Sequence, residues 1–294
     1  VLVGNKSDLE RKVKTEEGAK FAEKNVLICA HRGSWHGNVI QNTTIAYKAA
    51  LMQGADILET DTTATVDDVV FSLHDGVEPR LFNKPWRCSL EMSSKDIEAI
   101  YPLNALGEAS THRVQRLEDI CAFLTHGELI NVDRGWRARD LVLPVLDRFP
   151  HMQKQAILKA PLNAEALLEQ LDSHPVPYMF MPICYNLADV EKALSYRSLN
   201  MVGVELIAHT VEDELYSDEA IEYIHSKKLF CWVNALVITD CNPKAPLYGL
   251  LNDDISILEG PESGWGALME KKIDVIQTDW PAILRDFRKE KIGT

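Results

Sequence analysis

An α/β barrel of the (β/α)8 type is the fold class this sequence predicts, and three features predict it. First, short apolar runs recur at residues 26–30, 55–59, 69–74, 129–133, 156–159, 178–183, 202–207, 229–235 and 275–278. They are rich in β-branched and aromatic residues without strict alternation, the pattern of strands buried on both faces of a parallel sheet. Second, amphipathic helical stretches lie between most of them, as repeated strand–helix units require. Third, the chain has 294 residues, 46% of them apolar and 26% charged, which suits one large soluble domain.

The net charge of -13 and the pI near 5.2 argue against a nucleic-acid or anionic-membrane surface. They leave room for an anionic substrate, because a metal and a few cations reverse the field locally. Six cysteines lie scattered at 29, 88, 121, 184, 231 and 241, with no Cys-x-x-Cys pair. Buried free thiols in a reducing compartment follow from that spacing. No signal peptide is visible, and no apolar run approaches the roughly 18 to 20 residues of a membrane span. The expectation is a cytoplasmic protein without stable membrane insertion. The chain begins with Val1 rather than Met, which leaves a removed leader open.

Taken in order, residues 1–25 stand apart from the rest. Val1-Leu2-Val3-Gly4-Asn5-Lys6-Ser7-Asp8 resembles the guanine-specificity motif of Rab-type small GTPases, and Glu16–Lys24 resembles the helix that follows it there. The phosphate-binding Gly-x-x-x-x-Gly-Lys-Ser/Thr loop is absent, so these residues cannot by themselves make a nucleotide site. We read 1–25 as an N-terminal appendage and 26–294 as the barrel domain. Asn42 or Thr43 can cap a helix running to Gln53, with Gly54 after its end. Further helices are expected at 117–125, 164–171, 187–194, 218–227 and 266–271. The runs number nine rather than eight. The surplus one is expected between Glu59 and His74, where the polar link 62–68 is too short for a crossover helix of about a dozen residues. Residues 76–116 read as an insertion with a short helix near 93–100, following a strand end where lids and specificity elements sit. Residues 239–264 read as a second irregular stretch.

The chemistry concentrates between Cys29 and Asp75. Glu59 and Asp61, two apart on a strand, present carboxylates on one face. Such a pair repels unless a cation or proton lies between, and hard Mg²⁺ or Ca²⁺ takes oxygen ligands. His31 and His74 each end an apolar run and are each followed by a charged residue, Arg32 and Asp75. Two histidines allow one to take a proton from a nucleophile while the other protonates a leaving oxygen.

These residues, together with Asn42-Thr43, Gly54-Ala55-Asp56, Ile130-Asn131-Val132-Asp133 and Thr278-Asp279-Trp280-Pro281, resemble the glycerophosphodiester phosphodiesterase family over residues 26–285. The resemblance implies a TIM barrel of the phospholipase C-like phosphodiesterase type. It implies hydrolysis of glycerophosphodiesters to sn-glycerol 3-phosphate and an alcohol, with one divalent cation. It places His31 and His74 as acid and base in an order left open, Arg32 on the phosphate, and Glu59, Asp61 and Asp133 on the metal. Several positions depart from the family pattern. Gln41 stands where a glutamate is usual, and Asp133 where a longer glutamate is usual. Gly135 takes the place of a lysine, whose charge Lys159 is positioned to replace. The glycine usual after the acidic turn is missing at Asp67-Asp68-Val69. Glu205 and Trp232, with Asn234, end later strands and are further candidates for substrate contact. The partner implied is a small phosphodiester, not nucleic acid; the oligomeric state is open. Two other readings stay open: a phospholipase D-like action on lysophospholipids, and a barrel that binds without catalysing.

Overall fold

A computed structural model describes residues 26–83, 89–238 and 245–293. The GTPase-like residues 1–25 lie outside that range. Twelve strands run in chain order among the described residues: β1 Leu27–Ala30, β2 Ile57–Ala64, β3 Val70–Ser72, β4 Leu129–Asp133, β5 Ala156–Pro161, β6 Met179–Cys184, β7 Asn200–Met201, β8 Gly203–Leu206, β9 Phe230–Asn234, β10 Val237–Ile238, β11 Ala245–Pro246 and β12 Val275–Thr278. Their hydrogen-bonded order is β1, β12, β9, β8, β6, β5, β4, β2, with β1 also paired to β2, so the order returns to its start. That is the (β/α)8 barrel. The described residues pack as two compact units, one within Ala30–Lys159 and the other formed by the rest of them.

In the unit Ala30–Lys159, β2 pairs in parallel with β4, and β4 with β5. The surplus run is β3. It folds back antiparallel on the far end of β2, with Thr62 opposite Ser72 and Ala64 opposite Val70. The turn between them closes through Thr65 and Val69, which bond each other three times. Asp68 adopts φ 62° there. It fills the left-handed position for which the missing glycine is usual, and aspartate tolerates that region better than most residues. The helix Thr44–Met52 is capped by Thr43, whose side chain accepts from Ala46 N, and Gly54 follows it at φ 87°.

The described part of the insertion after His74 is packed. It carries the helices Glu78–Leu81 and Ser94–Glu98, the latter with a capping box between Ser93 and Asp96. Val77, Leu81, Phe82, Met92, Ile97 and Val114 form a core of their own with Phe71 and Leu73. The helix Arg139–Asp147 escaped the sequence reading because Pro144 lies inside it. Proline removes a helix hydrogen bond and argues against that assignment.

In the other unit, β6, β8, β9 and β12 pair in parallel. Val204, Cys231 and Ile276 from these strands pack with Ile221, Ile224, Leu268 and Leu284 from the helices Asp218–Ser226, Trp265–Glu270 and Pro281–Ile292. The stretch expected to be irregular from 239 to 264 contains a helix, Asp253–Leu258, capped by the Asn252 side chain on Ile255 N. Buried Asp253 accepts from Trp265 Nε1, Thr278 Oγ1 and Asp279 N, which ties this helix to the terminal Thr278-Asp279 segment. Burial outweighs those donors and lifts the Asp253 pKa to about 7. Cys29, Cys121, Cys184 and Cys231 are buried free thiols, as the spacing implied. Among the described residues no helix is long and apolar enough to cross a membrane.

Candidate active site

The site is built by the ends of β1, β2 and β4 and the segments that follow them. Glu59 and Asp61 lie on β2, and the parallel register sets Asp61 beside Asp133 on β4. One carboxylate oxygen from each of Glu59, Asp61 and Asp133 lies within 4.8 Å of the others. The i, i+2 spacing brought the first two to one face, and strand register sets the third, which the family resemblance had named, beside them.

Cations and donors hold this acidic cluster. Arg32 Nε lies 2.8 Å from Asp61 Oδ2, and Arg32 N donates to Glu59 Oε2 at 2.8 Å. Asn42 grips Asp61 twice: Nδ2 donates to Oδ2 at 3.0 Å, and Oδ1 accepts from Asp61 N at 3.1 Å. Tyr47, fully buried, donates its hydroxyl to Asn42 Oδ1, and burial pushes the phenol pKa well up. Lys159 Nζ lies 2.9 Å from Asp133 Oδ2. With 2% exposure, Lys159 is a neutralising partner for Asp133 and not a cation open to solvent.

Two carboxyls on one strand have opposite electrostatic fates. Burial pushes Glu59 well above its ordinary value, and Asp61 and Asp133 add to the effect. Burial also opposes ionisation of Asp61, but Arg32, His74, His31 and Asn42 overcome it and lower its pKa to about 2. Glu59 Oε1 is buried with no hydrogen-bond partner among the described residues. An all-oxygen donor set with one orphaned oxygen fits a hard divalent cation.

The Arg32-Gly33 turn is what delivers Arg32. Arg32 has φ 57° and Gly33 φ 77°, two successive left-handed residues. A Cβ on Gly33 would stand 2.7 Å from the carbonyl carbon of Ala46 in the Thr44–Met52 helix. Gly33→Ala is therefore expected to destabilise the chain by about 2–5 kcal/mol, combining a left-handed penalty with overpacking. Urea denaturation checks this; a loss under about 1 kcal/mol would mean the turn relaxes freely. Gln41, standing where the family pattern has a glutamate, accepts from Arg32 Nη1 at 2.7 Å. The amide keeps an acceptor on the guanidinium without adding a negative charge.

His74 lies just past β3, and Leu73 N bonds Asp61 O at 3.1 Å, which fixes this segment beside the carboxylates. Burial lowers the His74 pKa, Arg32 and Arg134 lower it further, and Asp61 opposes them. Half-buried His31 follows β1, close enough to Asp61 to favour its ionised form. The residues the sequence reading passed over are Arg134 and Arg137. Both bind Asp75: Arg134 Nε at 2.7 Å, and Arg137 Nη1 at 2.5 Å. A basic residue directly after the strand-end Asp133 was the available signal for Arg134.

Glu205 and Trp232 sit in the other unit, side by side in the β8–β9 register. Asn234 joins them, donating to Glu205 Oε1 at 3.0 Å and accepting from Trp232 Nε1 at 3.0 Å. Trp232 is 0% exposed, so its indole serves to orient Asn234.

A carboxylate triad with a histidine and guanidinium groups at the carboxyl ends of parallel barrel strands defines a class: a barrel enzyme equipped for phosphate esters. Comparison with known proteins narrows the class. Residues 31–166 match the Glycerophosphoryl diester phosphodiesterase family model, and residues 180–287 match a model described as a domain of unknown function. The chain matches the first of these models through the segment that carries His31, Glu59, Asp61, His74 and Asp133. Its fold is similar to that of a glycerophosphoryl diester phosphodiesterase from Parabacteroides distasonis, with TM-score 0.68, 16% identity, and coverage of 92% of this chain and 88% of that one. It is also similar to a putative glycerophosphodiester phosphodiesterase from Galdieria sulphuraria (TM-score 0.65, 16% identity, 90% and 99% covered). A third likeness is to an Oleispira antarctica phosphodiesterase in complex with the product sn-glycerol-3-phosphate (TM-score 0.63, 12% identity, 89% and 96% covered). A search of curated proteins gave no match.

Proposed function

We propose that the chain hydrolyses glycerophosphodiesters to sn-glycerol 3-phosphate and an alcohol, using a divalent cation and two histidines. The convergence of Glu59, Asp61 and Asp133, with Glu59 Oε1 unpartnered, carries the reading. Glu59, Asp61 and Asp133 would hold Mg²⁺ or Ca²⁺, which when bound supplies Lewis-acid stabilisation of charge on a phosphate oxygen. Arg32, oriented by Gln41 and Asp61, offers donors to a phosphate oxygen. His31 and His74 move protons between the attacking oxygen and the departing alcohol.

The test is a screen of glycerophosphodiesters with choline, ethanolamine, glycerol and inositol head groups, each with Mg²⁺ or Ca²⁺. Release of sn-glycerol 3-phosphate, abolished by EDTA and restored by added cation, is the expected result. Turnover undiminished by EDTA would remove the cation from the scheme. Inactivity toward every head group would remove the activity itself.

A further inference from the structure

We propose that Arg134 is a positioning residue for His74: anchored on Asp75, it selects the His74 tautomer that keeps Nε2 free of a proton and ready to accept one. This rests on the reading of His74 as a proton-transfer residue, but its main test does not.

Arg134 opens the segment after β4 in a left-handed conformation, φ 60°, with its backbone N–H donating to Asp133 Oδ1 at 2.6 Å. That turn sends the side chain toward the His74-Asp75 segment. Its Nε and Nη2 both reach Asp75 Oδ1, at 2.7 and 2.6 Å. Nη1 lies 3.1 Å from His74 Nε2. A guanidinium has no acceptor and does not deprotonate in proteins. The imidazole nitrogen facing it must therefore present a lone pair, which puts the proton of neutral His74 on Nδ1. His74 Nδ1 is buried and has no hydrogen-bond partner among the described residues. No second protein group on Nδ1 competes with Arg134 in setting the tautomer, which is decided by the bond the other nitrogen makes.

The other cations near the triad are committed elsewhere, and Arg32 lies 2.8 Å from Asp61 Oδ2. Lys159 is 2% exposed and paired with Asp133. The charge missing at Gly135 is thus restored at the histidine by its neighbour Arg134, through a different path from the one expected for Lys159.

In the reaction, an attacking water takes the place of Arg134 Nη1 at His74 Nε2. Its proton passes to Nε2 as the new O–P bond forms, giving an imidazolium whose Nδ1–H was already in place. The released guanidinium N–H is then free to donate to a phosphate oxygen. The P–O bond to the alcohol breaks, and the departing oxygen takes its proton from protonated His31.

Imidazole nitrogen NMR on the ¹⁵N-histidine-labelled chain tests the tautomer directly, with the His74 signals assigned from His74→Gln. Wild-type His74 is expected to show an unprotonated Nε2 and a protonated Nδ1. Arg134→Gln should shift it toward the Nε2–H form, and Arg134→Lys, which keeps a charged donor, should restore part of the Nδ1–H population. Arg137→Ala also loosens Asp75 but does not touch His74, so it should leave the tautomer unchanged. An Nε2–H tautomer in the wild type, or no change in Arg134→Gln, would overturn the proposal. In kinetics, Arg134→Gln is expected to lower kcat on the order of 10- to 10²-fold with a smaller change in KM, the mark of lost orientation. A wild type inactive on every glycerophosphodiester would sink the proposed activity, while the NMR result would still decide the role of Arg134.

Discussion

His74→Ala is expected to lower kcat on glycerophosphodiesters on the order of 10²-fold or more, the usual scale of a general acid or base. His31→Ala is expected to do the same, since the proposed mechanism gives each histidine one side of a single proton relay. The effect should fall on kcat more than on KM, because the proposed mechanism gives the phosphate to Arg32 and the cation rather than to either imidazole. Loss of folding is an unsuitable explanation for the His74 variant. Among the described residues its side chain makes one hydrogen bond, to Arg134, whose guanidinium remains anchored on Asp75. Steady-state kinetics together with a thermal melt separate the two effects. Near-full activity in either alanine variant would refute the two-histidine mechanism.

Glu59→Gln is expected to produce a more stable chain that is inactive. The carboxyl is buried between Asp61 and Asp133, and burial raises its pKa well above the ordinary 4.5. A group with a raised folded-state pKa binds its proton more tightly in the folded chain than in the unfolded one. Its contribution to stability is present below pH 4.5 and is lost as pH rises through the raised value. At pH 8, without divalent cation, the wild type therefore carries a penalty that glutamine lacks. Glutamine still accepts from Arg32 N, the bond now made by Oε2. The gain should be about 0.5–2 kcal/mol, the range seen when functional-site strain is relieved. Chemical denaturation with chelator at pH 8 should show it, and the gap should close toward pH 4.5. Added Mg²⁺ or Ca²⁺ should stabilise the wild type and not the variant, since binding to the folded state alone raises stability. A wild type equal to Glu59→Gln at pH 8 with chelator would mean Glu59 bears no electrostatic penalty.

These two results probe different layers of the same site. The histidines are local features, each read from its place at the end of an apolar run. The fate of Glu59 is not local. Glu59 and Asp61 are the same kind of group on the same strand face, yet one is pushed up and the other held at about 2. Arg32, His74, His31 and Asn42 make the difference, with Arg32 and Asn42 brought in by left-handed turns at residues 32 and 42.

What the sequence determined by itself is what depends on short-range pattern. Apolar runs without alternation marked the barrel strands, and the short link at 62–68 marked the surplus one, now β3 folded back on β2. Thr43 and Gly54 marked the ends of the first helix, and the i, i+2 carboxylates marked one face of β2. Tertiary structure decided what depends on neighbours distant in the chain. Strand register set Asp133 beside Asp61, burial turned Lys159 from a phosphate partner into a partner of Asp133, and full enclosure withdrew Trp232 from the surface. Above all, Arg134 reached across to His74 and Asp75, some 60 residues earlier in the chain. Sequence spacing carries the period of a strand or a helix, but the direction in which a long guanidinium points is set by the fold around it.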